Sequence, residues 1–175
     1  MMIVAISLTA CKKNSTTPST PITSSPYYAK ANINGTNVLY SNYVGAVNKA
    51  SGLLYIYGYS GDAIATTDGI TLIIHNSGNG TDNQPIVIGN YTDTANFQNG
   101  LYNYWNPYSA SITLQQSGTD YANSNQTDYD NSTPFTCIIT AIDSSSVSGT
   151  FSGILYYEFG STTKTITNGS FYVSF

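Results

Sequence analysis

The chain has 175 residues and few charges: five Lys, eight Asp, one Glu and no Arg, with a net charge of −4. Charged residues make up 8% of the chain, against about 25% in ordinary soluble domains. Because phosphate binding needs a cationic surface, this balance argues against nucleic acid as a partner. Hydrophobic residues reach 41% and include 16 tyrosines, which is enough to fill a core and argues against intrinsic disorder.

The first element is a short apolar run, residues 1–10, that ends in Leu8-Thr9-Ala10 directly before Cys11. Ten helical residues rise about 15 Å, which is too short to span a bilayer core. Small residues before a cysteine are typical of the end of a bacterial lipoprotein signal peptide. The cysteine that follows carries a lipid group, whose acyl chains include palmitate. We therefore expect cleavage after Ala10 and lipidation of Cys11, although no Lys or Arg precedes the apolar run.

A polar tether comes next in the chain. Residues 11–26 comprise the lipidated cysteine and a segment rich in Ser, Thr and Pro, a composition that favours extended, solvated backbone. No second linker of this kind follows. We therefore predict a single domain over residues 27–175.

From residue 27 onward, apolar and polar residues alternate with the two-residue period of β-strands. The sequence Asn34-Gly35 predicts a type I′ hairpin turn, and a second turn is expected at Asp143-Ser144-Ser145-Ser146. Strands are predicted at 29–33, 36–40, 53–59, 70–75, 86–88, 108–115, 135–142, 147–157 and 164–175.

The predicted fold class follows from this spacing of strands and turns. No window of 11 or more residues shows a helical period of 3.6. We expect an all-β fold, a single antiparallel β-sandwich of about nine or ten strands. A small closed β-barrel, similar to a lipocalin, is the alternative.

Residues with catalytic chemistry are few. Cys137 lies within the apolar segment 135–139 and is expected to be a core thiol. His75 is the single histidine and no Gly-x-Ser-x-Gly sequence accompanies it, so we expect a half-exposed residue at a strand end. Glu158 is the single glutamate and lies at an expected turn. The sequence therefore predicts a protein that is not an enzyme and has no cofactor.

One segment is rich in oxygen ligands. The loop at 120–131 contains Asp120, Asp128 and Asp130, and calcium prefers such side chains. The loop lacks the glycine and the closing glutamate of an EF-hand. We expect a solvated loop, with calcium binding as the alternative.

A second segment is rich in aromatic residues. Tyr102, Tyr104, Trp105 and Tyr108 alternate with asparagines and offer flat apolar rings beside amide groups. Sugar rings stack on such rings, whose polar ends stay wet. The alternative is that these side chains cap one end of the domain.

Several segments together resemble a known group of proteins. They are Cys11-Lys12-Lys13, Ile33-Asn34-Gly35, and the stretches 138–143, 147–153 and 166–171. The chain resembles small Bacteroidota lipoproteins that belong to families of unknown function. The resemblance implies an all-β lipoprotein at the outer membrane and supplies no active site. Gly149 and Gly153 are expected where strands bend or approach closely.

A further resemblance concerns Asp93-Thr94-Ala95. This tripeptide resembles the short O-glycosylation motif of exported Bacteroidota proteins, with Thr94 as the modified residue. Because the chain contains many Asp and Thr residues, a chance match is the alternative.

These observations predict a lipid-anchored protein of the bacterial outer membrane, on its periplasmic or cell-surface side. We expect a non-catalytic binding or structural accessory whose partners are the membrane and a glycan or another surface protein. The main alternative is a carbohydrate-binding module that uses the 102–108 segment. Less favoured are an assembly subunit, in which tyrosine-rich strands add to a neighbour's sheet edge, and a hydrolase.

Overall fold

The computed structural model describes residues 26–49, 52–60, 68–76, 84–92, 96–98, 101–103, 108–122, 135–157 and 162–175. All regular structure in this part of the chain is β-strand. The strands are β1 (Tyr28–Ile33), β2 (Thr36–Tyr40), β3 (Asn42–Lys49), β4 (Leu53–Tyr59), β5 (Gly69–Asn76), β6 (Gly89–Thr92), β7 (Asn96–Gln98), β8 (Leu101–Asn103), β9 (Tyr108–Gln116), β10 (Thr119–Ala122), β11 (Thr136–Ile142), β12 (Ser146–Tyr157) and β13 (Thr163–Ser174). A helix able to cross a membrane is not found among these described residues.

Eleven of these strands form one antiparallel sheet. Nine of them follow the order β2-β1-β13-β12-β10-β9-β5-β4-β3, and β11 and β6 lie off this path. One side of β12 pairs with β13 along most of its length, and its other side is divided between β11 and β10. β11 also pairs with β6, and β7 and β8 form a separate hairpin. The sheet is nearly closed into a barrel, which confirms the predicted antiparallel all-β fold and is consistent with a sandwich or a barrel.

The two ends of this sheet approach each other near Gly58 in β4. A Cβ atom at position 58 would lie 3.0 Å from the Cβ of Tyr40 in β2 and 3.6 Å from the Cβ of Ala29 in β1. Strands β2 and β3, at the two ends of the path, are joined through Ser41 alone. The missing side chain at Gly58 therefore allows the sheet to curl almost to closure.

The core follows the predicted alternation of side chains. In β4, Leu54 and Ile56 are fully buried, whereas Tyr55, Tyr57 and Tyr59 are half-buried on the outer side. The rings of Tyr57 and Tyr59 are partly covered because they lie against glycines of the neighbouring strands. The largest fully buried side chains are Tyr40, Tyr91, Phe135, Phe171, Leu54, Ile56, Ile70, Leu72, Ile74, Ile112, Leu114 and Ile139.

Both predicted turns are confirmed. Asn34 and Gly35 have φ angles of 48° and 87°, as a type I′ turn requires. In the second turn a carboxylate oxygen of Asp143 accepts hydrogen bonds from the backbone N–H groups of Ser145 (2.7 Å) and Ser146 (2.8 Å). These bonds, led by that from Ser145, hold the pKa of Asp143 below its ordinary value.

The strand predicted at 86–88 is wrong, since the strand in this region begins at Gly89. The Tyr91 hydroxyl donates to the carbonyl oxygen of Val87 (2.8 Å), and the Val87 N–H lies 3.1 Å from the same hydroxyl oxygen and donates to it. The backbone of Val87 therefore pairs with a side chain in place of a neighbouring strand. Ile86 is buried as a core residue without belonging to the sheet.

Candidate functional site

Most residues singled out in the sequence lie outside the described part of the chain. The backbones of Tyr102 and Tyr108 belong to β8 and β9, but their side chains are not described. The role of the aromatic segment therefore stays a prediction. The residues that lie outside are Cys11, Thr94, Tyr104, Trp105, Asp128, Asp130 and Glu158.

Three candidates are described: Asp120, His75 and Cys137, the last of which is treated with the cleft below. Asp120 is exposed in β10, so the loop predicted at 120–131 is wrong for residues 120–122, which pair with β9. His75 is half-buried as the last residue but one of β5, close to the position expected for it. Across the described ranges, no three or more His, Cys, Asp or Glu side chains lie together as a metal site would require. The calcium alternative thus depends on Asp128 and Asp130, which lie outside these ranges.

The described residues do form a surface that the sequence did not predict, on the outer side of β11, β12 and β13. Side chains of the three strands stand in rows across the sheet: Ile138 is opposite Thr150, and Thr150 is opposite Ser170. Neighbouring strands lie about 4.8 Å apart, so each row is continuous. The outward side chains, which we call the hydroxyl face, are Thr136, Ile138, Thr150, Ser152, Asn168 and Ser170.

The hydroxyl face is concave. Its outward side chains, with Phe151 and Gly169, line an open cleft of about 290 Å³. The ring of Phe151 is buried below the sheet, and a Cβ at position 169 would lie 2.6 Å from that ring. Gly169 therefore lets β13 lie close above the core at this point.

A β-bulge in β13 shapes one end of the cleft. Ser170 pairs with Lys30 while Thr167 pairs with Asn32, so β13 has one residue more than β1 in this interval. Asn168, inside the bulge, has a φ of 52°, a conformation that asparagine adopts more readily than most residues. Bulges commonly re-aim a side chain beside a binding site, and this one places Asn168 in the cleft lining.

Tyrosine rings and a lysine border the face along β13 and β1. Tyr172 is opposite Tyr28 and 38% exposed, and its ring centroid lies 5.3 Å from that of Tyr27. The ammonium nitrogen of Lys30 lies 5.2 Å from the centroid of the Tyr28 ring, a cation–π contact. The border is thus aromatic and carries one positive charge, on Lys30 opposite Ser170.

The chemistry of the cleft lining is that of neutral hydrogen bonding. Each Thr or Ser hydroxyl both donates and accepts, and the Asn168 amide offers two donors and an acceptor. Ile138 adds an apolar patch that is 42% exposed. These groups can hold an uncharged polar ligand.

Cys137 lies on the inner side of β11, beneath this face. It is fully buried beside Phe135 and Ile139 on the same side of the chain, as predicted for a core thiol. Burial raises its pKa to about 12, so the thiolate, the reactive form, is scarce at neutral pH. The thiol therefore fills the core and does not act in the cleft.

Comparison with known proteins gives no assignment. No family model, curated protein or solved structure matches the chain. The resemblance to small Bacteroidota lipoproteins accordingly remains a prediction from the residues that carry it.

Proposed function

We propose that this protein is an exported binding module of the bacterial outer membrane, anchored by lipid on Cys11, with the hydroxyl face as its ligand surface. The observation that carries the binding role is the concave, hydroxyl-lined cleft across β11, β12 and β13. The side chains that line this cleft are uncharged, and the outward ones are Thr, Ser, Asn and Ile. Such a lining suits recognition of a neutral partner.

The anchor and the face are connected through β1. The tether ends at residue 26, and Tyr27 then packs against Tyr172 at the border of the face. The tether therefore joins the domain beside its ligand surface. We propose that the preceding Ser/Thr/Pro-rich segment, whose composition favours an extended chain, gives the domain reach above the membrane.

The same lining supports the proposal of a non-catalytic role. A Ser or Thr hydroxyl becomes a useful nucleophile when an adjacent base takes its proton. The residues that line this cleft are hydroxyls, one amide and apolar groups, which bind without supplying a base. We accordingly propose capture or positioning of a ligand as the function.

Palmitate labelling in the cells that make the protein tests the anchor. We expect labelled palmitate to be incorporated into the wild-type chain, to be lost completely in Cys11→Ser and to be retained in Cys137→Ala. The second variant is the matched control, because it removes the chain's other cysteine, whose thiol is buried. A wild-type chain without label, or a Cys11→Ser chain that keeps it, contradicts the proposal.

A further inference from the structure

We propose that the hydroxyl face binds a neutral glycan chain that lies across β11, β12 and β13 with one sugar ring against Tyr172. This inference rests on the proposed function, since it names the ligand class of the same surface. It is independent of the aromatic segment 102–108, which belongs to another part of the chain.

The hydrogen-bonding groups of the cleft match those of a sugar. Sugar hydroxyls donate and accept, and so do the hydroxyls of Thr150, Ser152 and Ser170. An ionised ligand would lose hydration on entering the cleft, and the lining holds no opposite charge to compensate. The lining therefore favours uncharged polyhydroxy compounds over phosphates, carboxylates and amines.

The shape of the face indicates a chain, not a single small molecule. The cleft is open, and its outward side chains continue in rows across paired strands about 4.8 Å apart. The row from Ile138 through Thr150 and Ser170 crosses three strands and continues to Lys30 of β1. An extended ligand can thus contact every strand at once.

Tyr172 provides the stacking surface. It follows Ser170 by two residues in β13 and therefore projects from the same side of the sheet. The Tyr27 ring packs against it with 5.3 Å between centroids, which holds the ring in place before a ligand arrives. A ring that is already ordered loses little side-chain entropy on binding. Lys30 of β1 lies opposite Ser170 and keeps its charge in its contact with the Tyr28 ring, so the test below includes an acidic polymer.

Affinity electrophoresis tests this inference with the full chain carrying Cys11→Ser, which needs no membrane. The gels contain hydroxyethyl cellulose, xylan, galactomannan or starch as neutral polymers, and polygalacturonate as the acidic one. We expect at least one neutral polymer to retard the protein. Thr150→Lys is expected to weaken that retardation about tenfold or more, because it fills the cleft with a charged chain.

Thr113→Lys is the matched control. Thr113 is also an exposed threonine in the middle of a strand, but it lies in β9, away from the cleft, and the substitution adds the same charge. The Thr113→Lys protein should be retarded as strongly as the parent chain. Circular dichroism melting curves check that both variants fold. If Thr150→Lys does not fold, Tyr172→Ala replaces it, with Tyr43→Ala, another exposed tyrosine, as its control.

The inference is overturned if no neutral polymer retards the chain, if both lysine variants are retarded equally, or if polygalacturonate alone retards it. Because the assay uses an unlipidated chain, these outcomes leave the palmitate result untouched. Conversely, a wild-type protein that incorporates no palmitate would contradict the lipid anchor. Glycan binding would then still be decided by the electrophoresis result.

Discussion

Leu72→Ala is expected to lower the free energy of unfolding by about 2–5 kcal/mol, the range for a fully buried leucine. Leu72 lies in the centre of the core, paired with Ile56 of β4 on one side and Ile112 of β9 on the other. All three side chains are almost fully buried. Truncation removes apolar contacts and leaves a cavity that strands paired on both sides cannot close.

Urea unfolding followed by circular dichroism measures this loss. Ile73→Ala is the control, because Ile73 is the next residue of the same strand and is only half-buried on the outer side. The control should lose clearly less stability than Leu72→Ala. Equal losses at the two positions would mean that the inner side of β5 is not the core.

Gly149→Ala is expected to destabilise the protein by about 1–3 kcal/mol, the usual range for overpacking. A Cβ atom at this position would collide with the carbonyl oxygen of Ile138 in β11 and would lie 2.6 Å from Cζ of Phe171 in β13. The backbone oxygen cannot move without opening the pairing of β11 with β12, and Phe171 is buried. This supports the expectation that Gly149 marks a close approach of strands.

Thermal unfolding provides the measurement for this substitution. For a chain of this size, 1 kcal/mol corresponds to about 2–4 °C in Tm. Gly89→Ala is the control, since the nearest atom to a Cβ there is 4.0 Å away, and we expect its Tm to change little. A Gly149→Ala protein as stable as Gly89→Ala would show that β11 and β12 are not in this register.

Part of the fold could be predicted because apolar and polar residues alternate strictly along some strands. The predicted strands at 36–40 and 53–59 have the same bounds as β2 and β4. β3 was missed because a bulge interrupts its pattern: Tyr43 has a φ of 48°, and the pairing with β4 shifts between Asn42 and Gly45. A two-residue period is not readable across such a shift.

The hydroxyl face could not be predicted, because it depends on pairing between distant segments. Its side chains come from residues 136–138, 150–152 and 168–170, which alternation places on strands without saying which strands are neighbours. The one local signal was Asn168-Gly169 inside a predicted strand, since such a pair marks a turn or a bulge. The sequence drew attention to the aromatic segment 102–108, whose role stays a prediction.

Mass spectrometry of the protein extracted from the membranes of its own cells tests the lipid anchor on Cys11, on which the proposed place at the outer membrane depends. We expect a chain that begins at Cys11, with the first ten residues removed and a diacylglyceryl group on the sulfur. A chain that retains residues 1–10 and carries a free thiol at Cys11 would contradict it.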